Sequence, residues 1–208
     1  MNFTDVRPND WFYGYVEYLY CHGVVNGYST TPPCTTGTPC FKPENNTTRG
    51  QMAKIVVLAF EFPIDTTGGP HFTDVPTNHT FYPYIETGRN LNLFGGYPDG
   101  TYKPGNYVTR GQLSKIIVNA AILDDPANWT LLNPATSTFQ DVPVGSTFYR
   151  YIETAVAHNI ITGYPCGTLP AGPCVAPANK PYFLPGADAT RAQISKITFL
   201  AVTYPPFK

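Results

Sequence analysis

Thr109-Arg110-Gly111-Gln112-Leu113-Ser114-Lys115-Ile116-Ile117 is the stretch that decides the fold. A threonine followed three residues later by glutamine is a capping box. The hydroxyl accepts the third amide hydrogen of a helix, and the glutamine side chain reaches back to the amide of the cap residue. Behind the box, Leu113, Ile116, Ile117 and Ala120 fall at i, i+3, i+4 and i+7, one face of a helix. The same order of residues occurs at Thr48-Arg49-Gly50-Gln51, followed by Met52, Ile55, Val56 and Ala59. It occurs again at Thr190-Arg191-Ala192-Gln193, followed by Ile194, Ile197, Thr198 and Ala201.

Working outward, every box carries the same upstream landmarks. Phe3-Thr4-Asp5-Val6, Phe72-Thr73-Asp74-Val75 and Phe139-Gln140-Asp141-Val142 each precede a Gly-Tyr pair by 22 residues, counted from the Asp. An aromatic two residues before a proline follows (Phe41-Lys42-Pro43, Tyr102-Lys103-Pro104, Phe183-Leu184-Pro185), and the threonine of the box lies five residues past that proline. Only the span from Gly to this aromatic varies: 14 positions, 6 and 20. Length change confined to one place marks a surface loop on a constant scaffold. Earlier in each unit a first helix is expected after Asp10, Thr80 or Thr147, good cap residues, carrying Tyr15-Val16-Glu17, Tyr84-Ile85-Glu86 and Tyr151-Ile152-Glu153 in register. Short helix pairs bury too little alone. The expectation is a mainly α chain of three helix-loop-helix repeats, residues 1–68, 69–136 and 137–208. Together they form one compact domain, with the capped helices as a central three-helix bundle of pseudo-threefold symmetry.

Composition narrows the function. The 208 residues carry 13 Lys+Arg against 14 Asp+Glu, a formal net charge of −1, without the basic excess that nucleic-acid binding requires. Charged residues are 13%, about half the roughly 25% usual in globular domains. With 14% aromatics, 22 Pro and 18 Gly, the chain reads as an ordered, loop-rich extracellular protein. No apolar run approaches the ~20 residues of a membrane span. No basic start or apolar run follows Met1, so secretion implies a signal removed before this numbering or a chain that is a fragment.

These motifs together resemble the S-layer homology domain, as three consecutive units. Repeat 2 is the fullest match in its loop, Gly96-Tyr97-Pro98-Asp99-Gly100-Thr101-Tyr102-Lys103-Pro104, and repeat 1 carries the family-typical Trp11 where the others have Phe81 and Phe148. The resemblance implies a noncovalent anchor that holds cell-wall polysaccharide, typically through a pyruvylated aminosugar, in grooves between units. It implies ligand contacts from Asp5, Asp74 and Asp141, from Trp11, from the loop residues Tyr97, Asp99 and Gly100, and from Arg49, Arg110 and Arg191. Two departures stand out. The usual Glu of the box is Gln in all three units, and repeats 1 and 3 replace the Pro-Asp-Gly loop with Cys-bearing inserts.

The residues themselves leave alternatives open. Arg49, Arg110 and Arg191 fit an anion such as a pyruvyl carboxylate, helped by the adjacent helix N-terminus, or a salt bridge to Asp5, Asp74 or Asp141 of a neighbouring unit. Those three Asp fit sugar hydroxyls or their own backbone. Lys54, Lys115 and Lys196, three residues after each Gln, are solvated lysines or sugar contacts. Trp11, Phe81 and Phe148 stack on a sugar or belong to the core, and Tyr28, Tyr97 and Tyr164 line a groove or simply pack. Cys34 with Cys40 and Cys166 with Cys174 lie pairwise in the two inserts, which makes local disulfides the simplest account and a metal site the weaker one. Cys21 is left over, as a small buried hydrophobe or an intermolecular bridge. Asn2, Asn45, Asn46, Asn78 and Asn128 open Asn-x-Ser/Thr triplets, candidates for glycosylation.

No catalytic constellation, metal cluster or cofactor motif emerges, and Glu17, Glu86 and Glu153 recur as scaffold. Two functions follow: a carbohydrate-binding anchor of a cell surface, or a self-assembling subunit of a layer or filament. The second is suggested by units filling residues 3 to about 203 and by an apolar end, Tyr204-Pro205-Pro206-Phe207-Lys208, able to dock on a neighbour.

Overall fold

All three capping boxes form. Thr48, Thr109 and Thr190 accept the amide hydrogens of Gln51, Gln112 and Gln193 and donate their own amides to the glutamine Oε1 atoms. The structure, a computed structural model, describes residues 1–29, 34–35 and 37–205. Among them run the helices α1 (Tyr13–Cys21), α2 (Arg49–Ala59), α3 (Tyr82–Asn90), α4 (Arg110–Asp124), α5 (Tyr149–Ala157) and α6 (Arg191–Val202). Pro206, Phe207 and Lys208, part of the expected docking end, lie outside the described residues. Tyr204 turns inward, its ring 5.3 Å from Trp129 and 4.6 Å from His158.

The apolar face read from each box is the core. Met52 and Val56, Leu113 and Ile117, and Ile194 and Thr198 are buried, and α2, α4 and α6 each pack on the other two. Each also packs on the first helix of the next unit: α2 on α3, α4 on α5, and α6 back on α1. Just before the three helices the backbone closes a triangle. The Thr47 amide donates to the Ala189 carbonyl, the Ala189 amide to Val108, and the Val108 amide to Thr47, at 3.0, 2.9 and 3.0 Å.

The first amides of an α-helix have no partner within it. Here the next unit supplies one. Arg49, Arg110 and Arg191 donate their amides to the carbonyls of Asn106, Ala187 and Asn45, and Gly50, Gly111 and Ala192 to those of Pro104, Pro185 and Pro43. Each helix start is thus saturated by its threonine and by the neighbouring loop. The positive end expected to assist an anion is already occupied.

The first helices differ from expectation at their starts. α1 begins two residues late, at Tyr13, and α3 and α5 one residue late, at Tyr82 and Tyr149, with Phe12, Phe81 and Phe148 at the cap position and no side-chain cap. Asp10, Thr80 and Thr147 belong to a preceding turn, closed by Tyr13 to the Asp10 carbonyl, Tyr82 to His79 and Tyr149 to Ser146. Asp10 spends its carboxylate on the Arg7 amide. Packing of the aromatics, rather than a polar cap, locates these helix ends.

Two of the recurrent glutamates hold connectors in place. Glu86, fully buried, accepts from the His71 amide and pairs with the His71 ring, while Glu153 accepts from the Thr138 amide and hydroxyl. Thr87 and Thr154, one residue on, accept the amides of Asp65 and Leu132, so the segments entering units 2 and 3 are strapped across α3 and α5. Glu17 instead accepts from the Tyr13 hydroxyl at 2.8 Å. Cys21, expected as a small buried hydrophobe, ends α1 exposed.

Two outcomes are expected. Thr109→Ala removes the hydroxyl cap of α4 and costs about 1 kcal/mol, read from the urea midpoint. His158 stacks on Trp129 at 3.9 Å, and burial lowers its pKa from the ordinary imidazole value. The unfolded chain therefore binds this proton more readily, and stability is lost as pH falls through about 6.5 towards the depressed folded value. His158→Phe keeps a stacked ring and shrinks the drop in thermal midpoint between pH 7 and pH 5.

Candidate functional site

Repetition builds three copies of one groove, each from all three units. Groove 1 is lined by Arg110, the segment Ile160–Tyr164, Gln193, Lys196 and Trp11. Groove 2 takes Arg49, Leu93–Tyr97, Gln112, Lys115 and Phe148, and groove 3 takes Arg191, Val24–Tyr28, Gln51, Lys54 and Phe81. Their cavity volumes are about 250, 280 and 180 Å³, just under the roughly 300–1,000 Å³ of small-molecule pockets and in keeping with shallow grooves.

At the back of each groove lies the arginine of a box. Arg49, Arg110 and Arg191 are nearly buried, at 9%, 6% and 6% exposure. Their Nε atoms donate to the carbonyls of Tyr102, Phe183 and Phe41 at 2.8, 2.8 and 2.7 Å. An Nη of each donates to Gly95, Thr162 or Asn26. The planes lie over aromatic faces: Arg49 over Tyr97 and Tyr102, Arg110 over Tyr164 and Phe183, Arg191 over Tyr28 and Phe41, all within 4.3–5.2 Å. Burial lowers the pKa of Arg110 and Arg191, opposed by Tyr164 and Asp141 for the first and by Tyr28 and Asp5 for the second. A guanidinium keeps its charge regardless.

The anticipated Arg–Asp salt bridges do not form; one peptide stands between the partners. Asp5 accepts the amides of Phe41 and Lys42, Asp74 those of Tyr102 and Lys103, and Asp141 those of Phe183 and Leu184, all at 2.7–2.8 Å. These are loop amides far along the chain, not the Asp residues' own backbone. Lys42, Lys103 and Leu184 have φ of 60, 58 and 61°, a left-handed conformation costing a non-glycine residue about 1–2 kcal/mol. The carboxylate holds that strained residue by its amide. The aromatic before it then presents its carbonyl to the arginine of the preceding unit.

The glycine of each Gly-Tyr pair admits this arrangement. A Cβ on Gly27, Gly96 or Gly163 would lie 2.3–2.4 Å from the ring of Phe3, Phe72 or Phe139.

Other anticipated residues divide. Lys54, Lys115 and Lys196 flank the grooves, their ammonium groups 5.9, 5.8 and 6.0 Å from the rings of Tyr84, Tyr151 and Trp11. Tyr97 lines groove 2. Asp99 and Gly100 do not line it: Asp99 accepts from Thr101 and pairs with Lys103 at 3.1 Å, and those donors hold its pKa down at about 2. Among the described residues, no carboxylate lines any of the three grooves. The box glutamines, read from sequence as helix caps and as a departure from the usual Glu, are also groove walls. Gln51 and Gln193 donate to the hydroxyls of Tyr28 and Tyr164 at 3.0 and 3.1 Å. Their i,i+3 spacing to the lysines, which puts both on one helix face, was the signal available for them.

Trp11 is 56% exposed rather than core, because Phe12, not Trp11, takes the cap position that Phe81 and Phe148 take in α3 and α5, and Phe12 is the ring that is buried. A Cβ on Gly50 would fall 2.4 Å from the Phe81 ring, and one on Gly111 2.5 Å from the Phe148 ring, so both phenyl rings settle against bare helix backbone. The third box has Ala192 in place of glycine, and Trp11, the neighbour of the cap residue Phe12, lines groove 1. Cys34–Cys40 and Cys166–Cys174 are disulfide-bonded as expected. Of the sequon asparagines, Asn46 and Asn128 already donate their side-chain amides to Asp188 and Asp125.

Comparison with known proteins agrees with the motif reading. The family model for the S-layer homology domain matches residues 2–53, 71–114 and 138–194, well over half of the chain. A cellulosome-anchoring protein of Acetivibrio thermocellus is 33% identical over 128 residues, 60% of this chain and 28% of that protein. The S-layer protein sap of Bacillus anthracis is 26% identical over 140 residues, 67% of this chain and 16% of that one. An uncharacterized cell wall amidase of the same species is 26% identical over 198 residues, 95% of this chain and 34% of its own length. The chain therefore spans a minor part of each of these relatives.

The contact of Phe148 with the bare backbone at Gly111 is testable by substitution and urea unfolding. Gly111→Ala forfeits the roughly 1 kcal/mol that alanine normally adds to a helix, because Phe148 must swing outward.

Proposed function

The chain belongs to the S-layer homology family, and on that premise we propose that it is a non-catalytic, extracellular cell-surface module that holds anionic envelope polysaccharide in its three grooves. The units, 1–68, 69–136 and 137–208, are arranged with pseudo-threefold symmetry as one domain, and each groove takes one sugar residue of the polymer. The observation that carries this reading is electrostatic. Each groove sets one arginine and one lysine around an aromatic wall that no carboxylate of the described residues lines, in a chain whose net charge is −1. An acidic sugar such as a pyruvylated aminosugar suits such a wall: its ring lies on the aromatic and its carboxylate meets the cations. In this reading the lysines, the arginines, Trp11 and Tyr97 face ligand. Asp5, Asp74, Asp141, Asp99 and Gly100 act through the loops they shape. The names of the relatives, an anchoring protein and an S-layer protein, support a surface role.

A second reading, self-association into a layer or filament, is favoured by Leu169, 96% exposed within the loop closed by Cys166–Cys174. Sedimentation at rising concentration, with Leu169→Asp as comparison, tests it; a strict monomer at every concentration counts against it.

The arginines are poor probes of binding, because removing a buried cation that donates to two carbonyls leaves those carbonyls unpaired and destabilises the fold. The lysines are better. Lys54→Gln, Lys115→Gln and Lys196→Gln combined are expected to weaken co-sedimentation with purified cell-wall polysaccharide at least tenfold. The thermal midpoint should move by no more than a few degrees, and wild-type binding should fall with added salt. Equal binding by wild type and triple variant would remove the electrostatic basis of this function.

A further inference from the structure

The three loops that present carbonyls to the arginines are closed in three different ways. In unit 2 a tight turn suffices: the Tyr97 amide donates to the Thr101 carbonyl at 2.7 Å, and Asp99 accepts the Thr101 amide. In unit 3, Tyr164 and Tyr182 exchange a pair of backbone bonds at 2.8 and 2.9 Å, and Cys166–Cys174 lies beyond that pair, in the insert. In unit 1 the paired residue is itself a disulfide cysteine. Tyr28 and Cys40 exchange backbone bonds at 2.7 and 3.0 Å, and Cys40 is bonded to Cys34.

Cys40 has two working neighbours. Phe41, next in the chain, donates its amide to Asp5, accepts from Arg191 Nε at 2.7 Å and lies under the guanidinium. Tyr28, its bridge partner, is the other ring beneath Arg191 and the acceptor for Gln51. Cys34 and Cys40 are 2% and 6% exposed, and the Thr4 hydroxyl touches Cys40 Sγ at 3.8 Å. The bond is part of the wall behind groove 3, whereas Cys166–Cys174 stands apart from the wall of groove 1. Opening a covalently closed loop returns conformational freedom to the segment it held. For Cys34–Cys40 that segment ends at the residue before Phe41, whose carbonyl accepts from Arg191, and is paired with Tyr28 beneath the same guanidinium.

We propose that the Cys34–Cys40 disulfide is the positioning element of groove 3, so that its cleavage loosens Arg191 and this groove alone. Arg49 and Arg110 are gripped by carbonyls of other loops and stay in place. As a statement about binding, this rests on the grooves being ligand sites; as a statement about Arg191 it does not.

The three buried arginine Nε–H groups report the effect directly through their hydrogen exchange by 15N NMR. In a Cys166→Ala/Cys174→Ala background, a trialkylphosphine and water convert the remaining disulfide to two thiols, the phosphorus being oxidised to the phosphine oxide. Exchange at Arg191 Nε–H is expected to accelerate at least tenfold, with Arg49 and Arg110 within twofold of their starting rates. Cys34→Ala/Cys40→Ala gives the same comparison without reagent, and if that variant does not fold, the reduction experiment decides. Unchanged protection at Arg191, or equal loss at all three arginines, overturns the proposal. Polysaccharide co-sedimentation of the wild type is run beside it. Absence of binding there overturns the functional reading, while the arginine exchange rates still decide the role of the disulfide.

Discussion

A guanidinium held by the backbone of the following unit is the constraint on which this molecule depends. Each box arginine gives its Nε–H to the carbonyl of an aromatic residue one unit ahead, and the third returns to the first, Arg191 to Phe41. The acceptors are neutral, so compensation for burying a cation is distributed. Two carbonyl dipoles, two aromatic faces and a carboxylate one peptide away share it, in place of a single counter-ion. Sharing places demands on geometry, since a carbonyl turned aside leaves both itself and the charge without a partner. That explains why the loop bearing the carbonyl is so firmly specified. An Asp holds its two amides, a left-handed residue bends it, and the helix of the previous unit takes the next carbonyl, that of the proline.

The same tie converts weak parts into a stable whole. None of the helices exceeds 15 residues, and the first helix of each unit has only nine. Isolated helices of this length are marginal in water. Saturating each helix start from the neighbouring unit, while burying Met52, Leu113 and Ile194 together, makes every unit a condition for the next. The grooves result from this closure, because their walls come from three units at once.

On this shared frame the units diverge where packing tolerates it. The inserts lengthen the loop between two fixed hydrogen-bonded points and are closed by their own cysteines. The glycine of the first two boxes lets Phe81 and Phe148 lie against bare helix backbone, and the third box carries alanine there. Three grooves with the same cations thus present different walls: an exposed indole in groove 1, a tight turn beside groove 2, a buried disulfide behind groove 3. The roles of the charged residues follow from closure and those of the aromatics from local space.

The sequence by itself determined whatever depends on short-range order. The capping boxes, the apolar faces of α2, α4 and α6, the repeat count and the pairing of Cys34 with Cys40 and Cys166 with Cys174 all involve groups a few residues apart, whose geometry the chain dictates locally. Motif order was likewise enough to reveal the family. Tertiary structure alone decided the rest. The first helices begin at aromatics because packing, not a cap, ends the preceding turn. Phe81 and Phe148 lie against helix backbone because Gly50 and Gly111, in the preceding unit, leave room for their rings. Arg49 meets Tyr102 rather than Asp74 because a peptide comes between them once the units close. In each case the deciding neighbour arrives from another unit, and the distance along the chain between the two groups carries no information about their separation in space.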